Sequence, residues 1–340
     1  MGNLGRRIGK NQNTGNSADG ADGNLGGGIV DIFAKDYFSR EDSVSRSPGE
    51  PPPTPLDASG GTTTTYGNYK VHTFTATGAF VVNGLASGGR SNDVDVLVVA
   101  GGGGGGGRHA GGGGGGGFRT ASRTLTSTGP ITVTVGAGGD GAPQSTGSGT
   151  GGTQGGTSNF AHPSPLESAG GGFGGHPQPP SSGTGGDGGS GGGGGAANGN
   201  PGGSGNTPPV SPPQGNDGGD AHPTGGVAYA AGGGGGAGGA GSPAPSATQA
   251  GAGGNGANND YRTGSDVTYA GGGGGACWSG GSPGAGGPGG GGAGGNYDSP
   301  GNGVDGSTNT GGGGGGAAGP DSATGGAGGS GIVVIRYLIS

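Results

Sequence analysis

Five histidines (His72, His109, His162, His176 and His222) and one thiol, Cys277, are the side chains best suited to metal ligation or nucleophilic attack in this chain of 340 residues. No histidine stands at metal-ligand spacing from another, so all five read as solvated turn or strand histidines and no metal is expected. The lone Cys277 excludes an intrachain disulfide framework and reads as an inert thiol in a turn. Gly-x-Gly-x-x-Gly recurs along the chain, but no βαβ unit follows it. No Gly-Lys-Ser or Gly-Lys-Thr exists either, because the only lysines are Lys10, Lys35 and Lys70. A nucleotide site is not expected. Asp140, Asp187 and Asp217 lack the aliphatic residue that follows in the calcium-binding nonapeptide repeat. No paired carboxylates and no nucleophile with its base stand out. The chain is therefore not read as an enzyme, and no cofactor is expected.

What remains is recognition by contact. Trp278, the only Trp, sits in the turn-like CWSGGSP, and Arg108-His109 interrupts two glycine runs. Trp, Tyr and Arg are the side chains that commonly dominate binding when a rigid scaffold holds them. Two readings of Trp278 stay open: it packs on an adjacent loop and stiffens it, or it grips a ligand.

The elements that must position these residues are unusual. Of the 340 residues, 110 are Gly and 24 are Pro, a load associated with collagen or disorder. Collagen needs Gly at every third position, whereas Gly101 to Gly107 and Gly311 to Gly316 are unbroken runs. Apolar residues make up 25% of the chain, too few for a core of the usual kind at this length. Helix is disfavoured by about 1 kcal/mol per Gly, and a β-ladder of glycine has no side chains to pack. The option left is the extended polyglycine-II helix, rising about 3.1 Å per residue without internal hydrogen bonds. Its backbone groups all point outward, so such rods are expected to bundle and bond one another, with Cα–H···O contacts added.

Around these runs the pattern has period two. TTTTY, YKVHTFTAT, AFVVNGL, DVDVLVV, RTLTS, PITVTV and the terminal IVVIRYL read as strands. The fold is expected to be mainly β and irregular. A small antiparallel β-sandwich (residues 62–135 plus 332–340, interrupted by rods at 101–117) is closed by the C-terminal strand. Residues 136–331 form a bundle of polyglycine-II helices with loops at both ends. Glycine blocks begin at Gly111, Gly191, Gly232, Gly271 and Gly311, and each unit of about 40 residues between the later blocks reads as one outbound and one return rod. Strand 93–99 feeds the first run, so Arg108 and His109 are expected at the end distal to the sandwich. Turns 242–249 (with Pro243), 277–283 (with Cys277 and Trp278) and 318–324 (with Asp321) are expected beside them, and loops 258–268 and 296–309 at the proximal end.

Upstream, Ile29, Ile32, Phe33, Tyr37 and Phe38 fall at roughly helical spacing in residues 1–46, a short amphipathic element that wants a surface to dock on. Residues 47–61 read as a Pro-rich linker. Net charge is −7, and residues 1–46 balance six Lys/Arg against six Asp/Glu. The acidic remainder argues against nucleic acid as a partner. No signal peptide and no 18-residue apolar run are evident, so membrane insertion is not expected.

TTTYGNYKVHTFTATGAFVVNGL, DVDVLVVAGGGGGGG, GGGFRTASRTL, PITVTVGAGG and above all GSGIVVIRY after a glycine tract resemble the glycine-rich domain of bacteriophage tail fibres and related virion appendage proteins. MGNLGRRIG and GGGIVDIFAKDYFSRED resemble the N-terminus of marine phage versions. The resemblance implies a virion location and attachment to other virion or tail proteins through residues 1–46. It also implies binding of a host surface receptor, a glycan or an outer-membrane protein, by distal tips that include Arg108, His109, Pro243, Cys277, Trp278 and Asp321. A homotrimer is left open. The alternatives are a purely structural virion fibre or capsid decoration protein and, as a minor option, an ice- or surface-binding protein.

Overall fold

The computed structural model describes residues 52–143, 151–177, 183–223, 229–278, 280–298, 301–319 and 323–340. The amphipathic segment 29–38 and Asp321 lie outside the described residues. The chain divides into Met1–Thr54 and Pro55–Ser340, and among the described residues every strand belongs to the second unit. Architecture is mainly β, with antiparallel sheets and no α-helix among the described residues. Among these residues no helix is long and apolar enough to cross a membrane.

Two five-stranded sheets form the base. One has the order β1 (Asp57–Ser59), β4 (Gly78–Gly84), β7 (Gly129–Thr134), β8 (Ser158–Phe160), β9 (Leu166–Ser168). The other runs β2 (Thr62–Tyr66), β3 (Tyr69–Phe74), β12 (Ile332–Leu338), β5 (Asp93–Val99), β6 (Phe118–Thr124). Side-chain alternation decides the layers. Val94, Val96 and Val98 of β5 and Val333, Ile335 and Tyr337 of β12 share one core with Phe80, Val82, Val133, Phe160 and Leu166 of the facing sheet. The opposite face of the second sheet, with Leu97, Val99, Ile332 and Val334, packs against Tyr269 and Val267 of a two-stranded ribbon, β10 (Ala257–Asn259) with β11 (Val267–Tyr269). Arg336 pins that ribbon. Its Nε donates to Asp95 at 3.2 Å and its Nη1 to the Tyr66 hydroxyl at 2.7 Å and to Asp260 at 3.2 Å, while the guanidinium lies 4.0 Å from the Tyr261 ring and 4.6 Å from that of Tyr69.

Three-residue strands differ from the sequence-based reading. Leu56 and Ala58, inside the segment read as a linker to residue 61, are buried in the core, and β1 pairs with β4. β8 and β9 extend the first sheet beyond residue 135. Elements this short hold too few alternations to show a period. Three histidines read as solvated are buried: His72, His109 and His176. His72 stacks on Tyr337 with centroids 5.7 Å apart, and its Nδ1 lies 2.7 Å from the Gly60 carbonyl.

Beyond the sheets the glycine tracts bond one another through backbone alone. Gly101 and Gly104 donate to Gly156 and Thr153; Gly102 and Gly105 donate to Gly329 and Gly326; Gly103 and Gly106 donate to Gly114 and Gly111. Residues three apart thus address the same neighbour, and successive residues address three different ones. The return tract repeats this: Gly111 and Gly114 bond Gly175 and Gly172, Gly112 and Gly115 bond Gly232 and Gly235, Gly113 and Gly116 bond Gly314 and Gly311. Side chains are excluded by the closeness of the tracts. A Cβ on Gly113 would lie 2.1 Å from the Gly103 oxygen, and one on Gly105 would lie 1.9 Å from the Gly315 oxygen. Elsewhere, backbone donors meet carboxylates: Asp187, Asp217 and Asp220 accept from the N–H groups of Ser204, Gly205 and Gly202 at 2.6–2.9 Å.

The number of passes differs from one outbound and one return per unit. GAGGPGGGGAGG, read as a single tract, reverses at Pro288 to Gly290, where Gly289 and Gly290 take φ of +97° and +96° and Gly291 N–H bonds the Gly287 carbonyl. Those φ values are open only to glycine without strain. GGGGGAGGAG likewise reverses, with Gly236 N–H on the Gly239 carbonyl. Each added reversal exchanges the ends at which later turns fall. Loop 296–309, expected at the proximal end, is corrected accordingly. Tyr297 N–H bonds Cys277 and Tyr297 stacks on Trp278, while Ala270 N–H, at the sheet side, bonds Thr310. Residues 301–310 are a further pass.

Candidate functional site

A layer of alanines marks the ends of the tracts remote from the sheets. Ala110, Ala196, Ala230, Ala231, Ala276 and Ala317 are buried. Ala110 N–H bonds Ala317, Ala276 bonds Ala110, Ala231 bonds Ala276, and Ala196 bonds His109. Here each tract carries a buried methyl group while the backbone bonds between tracts continue. The next residue outward can then carry a ring.

Four rings do so, from four tract ends far apart in sequence. The turn at Arg108 and His109 uses φ of +57° and +58°, a left-handed conformation that costs non-glycine residues energy and marks sites held by their surroundings. It swings His109 inward, where the residue is 6% exposed. The imidazole stacks on Tyr229 (centroids 5.2 Å apart, planes at 12°) and meets Trp278 edge-on at 4.5 Å. Trp278 stacks on Tyr297 at 4.2 Å and lies 5.7 Å from Tyr229. Backbone bonds fix the frame: Trp278 N–H to Tyr229 at 2.9 Å, and Cys277 N–H to Gly295 at 3.1 Å. Asp298 accepts from Gly280 N–H at 2.6 Å, and the Asn296 amide donates to the Gly281 carbonyl at 2.6 Å. Such ring pairs contribute about 0.5–1.5 kcal/mol each beyond their burial.

The electrostatics of this pole follow from burial. Desolvation, helped by the Arg108 charge and by His176, pulls the His109 imidazole down to about 4, so it is neutral at pH 7. Its Nδ1 is buried without a hydrogen-bond partner among the described residues. Burial also pushes the Cys277 thiol up, against backbone bonds to Trp278, Ala250 and Ser282, which leaves it a protonated, unreactive small apolar group. Cys277 packs with Ala230, Ala244 and Ala250 beneath the turns.

The sequence-derived tip residues therefore fall out as follows. Arg108, His109, Cys277 and Trp278 come together. Arg108 and Trp278 are half-buried at the surface, whereas His109 and Cys277 lie beneath it. Pro243 is exposed, in the turn leading to the buried Ala244 of the same cluster. Tyr229 and Tyr297 were missed. The signal they carry is a ring placed one or two residues off the end of a glycine tract, as in Tyr229-Ala230-Ala231-Gly232 and Gly295-Asn296-Tyr297. Among the described residues, no group of three or more His, Cys, Asp or Glu could hold a metal.

The family model of the glycine-rich domain matches residues 74–338, from the end of β3 to the last residue of β12. No curated protein matches the chain.

Proposed function

The chain belongs to the glycine-rich domain family, and on that premise we propose that it is a non-enzymatic binding module whose tract bundle presents the aromatic pole to a host surface receptor. In this reading the tracts are polyglycine-II rods, supported by the three-residue period with which their N–H groups address three neighbours. The protein is an appendage of a phage particle, held there by residues 1–46 and reaching a glycan or outer-membrane protein with its far end. The observation that carries the proposal is the convergence of His109, Tyr229, Trp278 and Tyr297 from four separate turns onto one rigid floor. Convergence of rings and an Arg on a fixed frame is what binding hot spots require.

Ring-on-ring stacking also favours a second reading, a structural fibre whose tip is merely stiffened by these contacts. Adsorption of the labelled full chain to candidate bacterial hosts separates the two. For a receptor-binding pole, Arg108→Ala and Trp278→Ala lower cell binding at least tenfold while the exposed-strand control Thr63→Ala does not. Binding unaffected by both pole substitutions, or absent from every host tested, favours the fibre.

A further inference from the structure

The aromatic pole closes over an imidazole whose Nδ1 is buried with no hydrogen-bond partner among the described residues. We propose that His109 is an acid-operated latch: at neutral pH its uncharged ring knits the pole together, and its protonation under mildly acidic conditions drives Tyr229, Trp278 and Tyr297 apart. The loosening stands on the burial and ring contacts of His109 within the pole. Its consequence, release of whatever the pole holds, rests on the receptor-binding reading.

The groups that face His109 come from each turn packed on it. Arg108, on its own turn, is a cation. His176, at the end of the 169–177 tract, acts on it electrostatically in the same direction. Tyr229, Trp278 and Tyr297 contribute rings, the Cys277 thiol is protonated, and the Asp298 carboxylate accepts from Gly280 N–H. Among the described residues, no carboxylate is among the groups that act on the His109 charge. With the neutral proton on Nε2, the added proton falls on Nδ1, which is buried and has no acceptor among the described residues. A charged donor left in that position is strongly disfavoured. The Tyr229 ring face offers a cation–π attraction to the imidazolium, yet burial and the Arg108 charge outweigh it, since the balance of the site lowers proton affinity.

The sign follows directly. The imidazole titrates at about 4 in the closed pole and near its ordinary 6.5 once freed. Closure is therefore fully favoured above pH 6.5 and loses ground as pH falls toward 4. Between those limits the closed-to-open ratio declines, by roughly 30-fold at pH 5.

Trp278 is the only tryptophan, so the emission of the full chain reports on this pole. We expect its emission and near-UV dichroism to change between pH 6.5 and 4 while the far-UV spectrum of the sheets holds. We expect His109→Phe, which keeps a ring but cannot titrate, to flatten the change. A flat wild-type response, or the same transition in His109→Phe, overturns the latch. A direct measurement does not depend on the variant folding: the His109 C2–H resonance should titrate below pH 5, and a midpoint at or above 6 refutes the proposal. Cell adsorption at pH 7.5 tests the receptor reading separately. A failure there counts against that reading and not against the latch, which the emission titration decides.

Discussion

Gly113→Ala places one methyl group where three tracts meet. The new Cβ lies 2.1 Å from the Gly103 oxygen and 2.6 Å from its carbonyl carbon. Both are backbone atoms and cannot rotate away. That same oxygen accepts from Gly314 N–H at 3.0 Å, and Gly113 itself donates to Gly314 and accepts from Gly273 at 2.8 Å. Relief requires the two tracts to part by about 1 Å, which stretches the neighbouring Gly103-to-Gly114 bond from 2.9 Å to beyond hydrogen-bonding range. Two buried bonds weakened or lost, with their groups left unsatisfied, cost about 3–5 kcal/mol. For a chain of this size that lowers Tm by roughly 10 °C. Gly239→Ala is the control, because its Cβ meets nothing closer than 3.7 Å. Calorimetry of both full-length variants gives the answer. A flexible glycine coil predicts no measurable change for Gly113→Ala, because the residue is then as free in the folded chain as in the unfolded one. A Gly113→Ala protein as stable as the wild type, or more so, rules out close-packed tracts at this position.

Burial of the Tyr337 phenol pushes it up to about 12, so its neutral form is favoured in the fold. That contribution is intact below pH 10 and is lost as pH rises toward 12, and Tyr337→Phe should reduce the alkaline slope of Tm. Arg336→Met removes the bonds to Asp95, Asp260 and Tyr66 that hold the β10–β11 ribbon. We expect a loss of about 2–3 kcal/mol by denaturant titration, with Arg336→Lys only partly restoring it because an ammonium cannot fork. The Cys277 thiol is 0% exposed and pushed up by burial, so a thiol reagent should label the native chain at least a hundredfold more slowly than the denatured chain. Equal rates would contradict the buried position beneath the turns.

Much of the base was legible because alternation is a local property. Val94, Val96 and Val98 against Asp93 and Asp95 announce both the strand and its inner face. Ala58, Phe160 and Leu166 belong to the same core, yet their strands are three residues long and carry no period. At the pole, Arg108, His109 and Trp278 could be placed by counting passes from strands of known direction. The count failed at Pro288, where a proline inside a glycine-rich string was read as part of a rod although it initiates a reversal. That one reversal moved Tyr297 to the opposite end and hid it from the site. The histidines were misread for a different reason. In a chain so poor in apolar residues a histidine ring serves as buried surface, stacked on Tyr337 in one case and on Tyr229 in the other, and composition alone does not register that use.

Backbone hydrogen bonds between glycine tracts do the work of a hydrophobic core in this fold. Amide hydrogen exchange along residues 101–117 puts that to the test, because the N–H groups of Gly101–Gly106 and Gly111–Gly117 each donate to a backbone carbonyl outside the residue's own stretch. These amides should exchange as slowly as those of the central strands β5 and β12, opening only with global unfolding. Exchange at the rate of a free glycine peptide, while β5 and β12 stay protected, would show that the tracts hold nothing together.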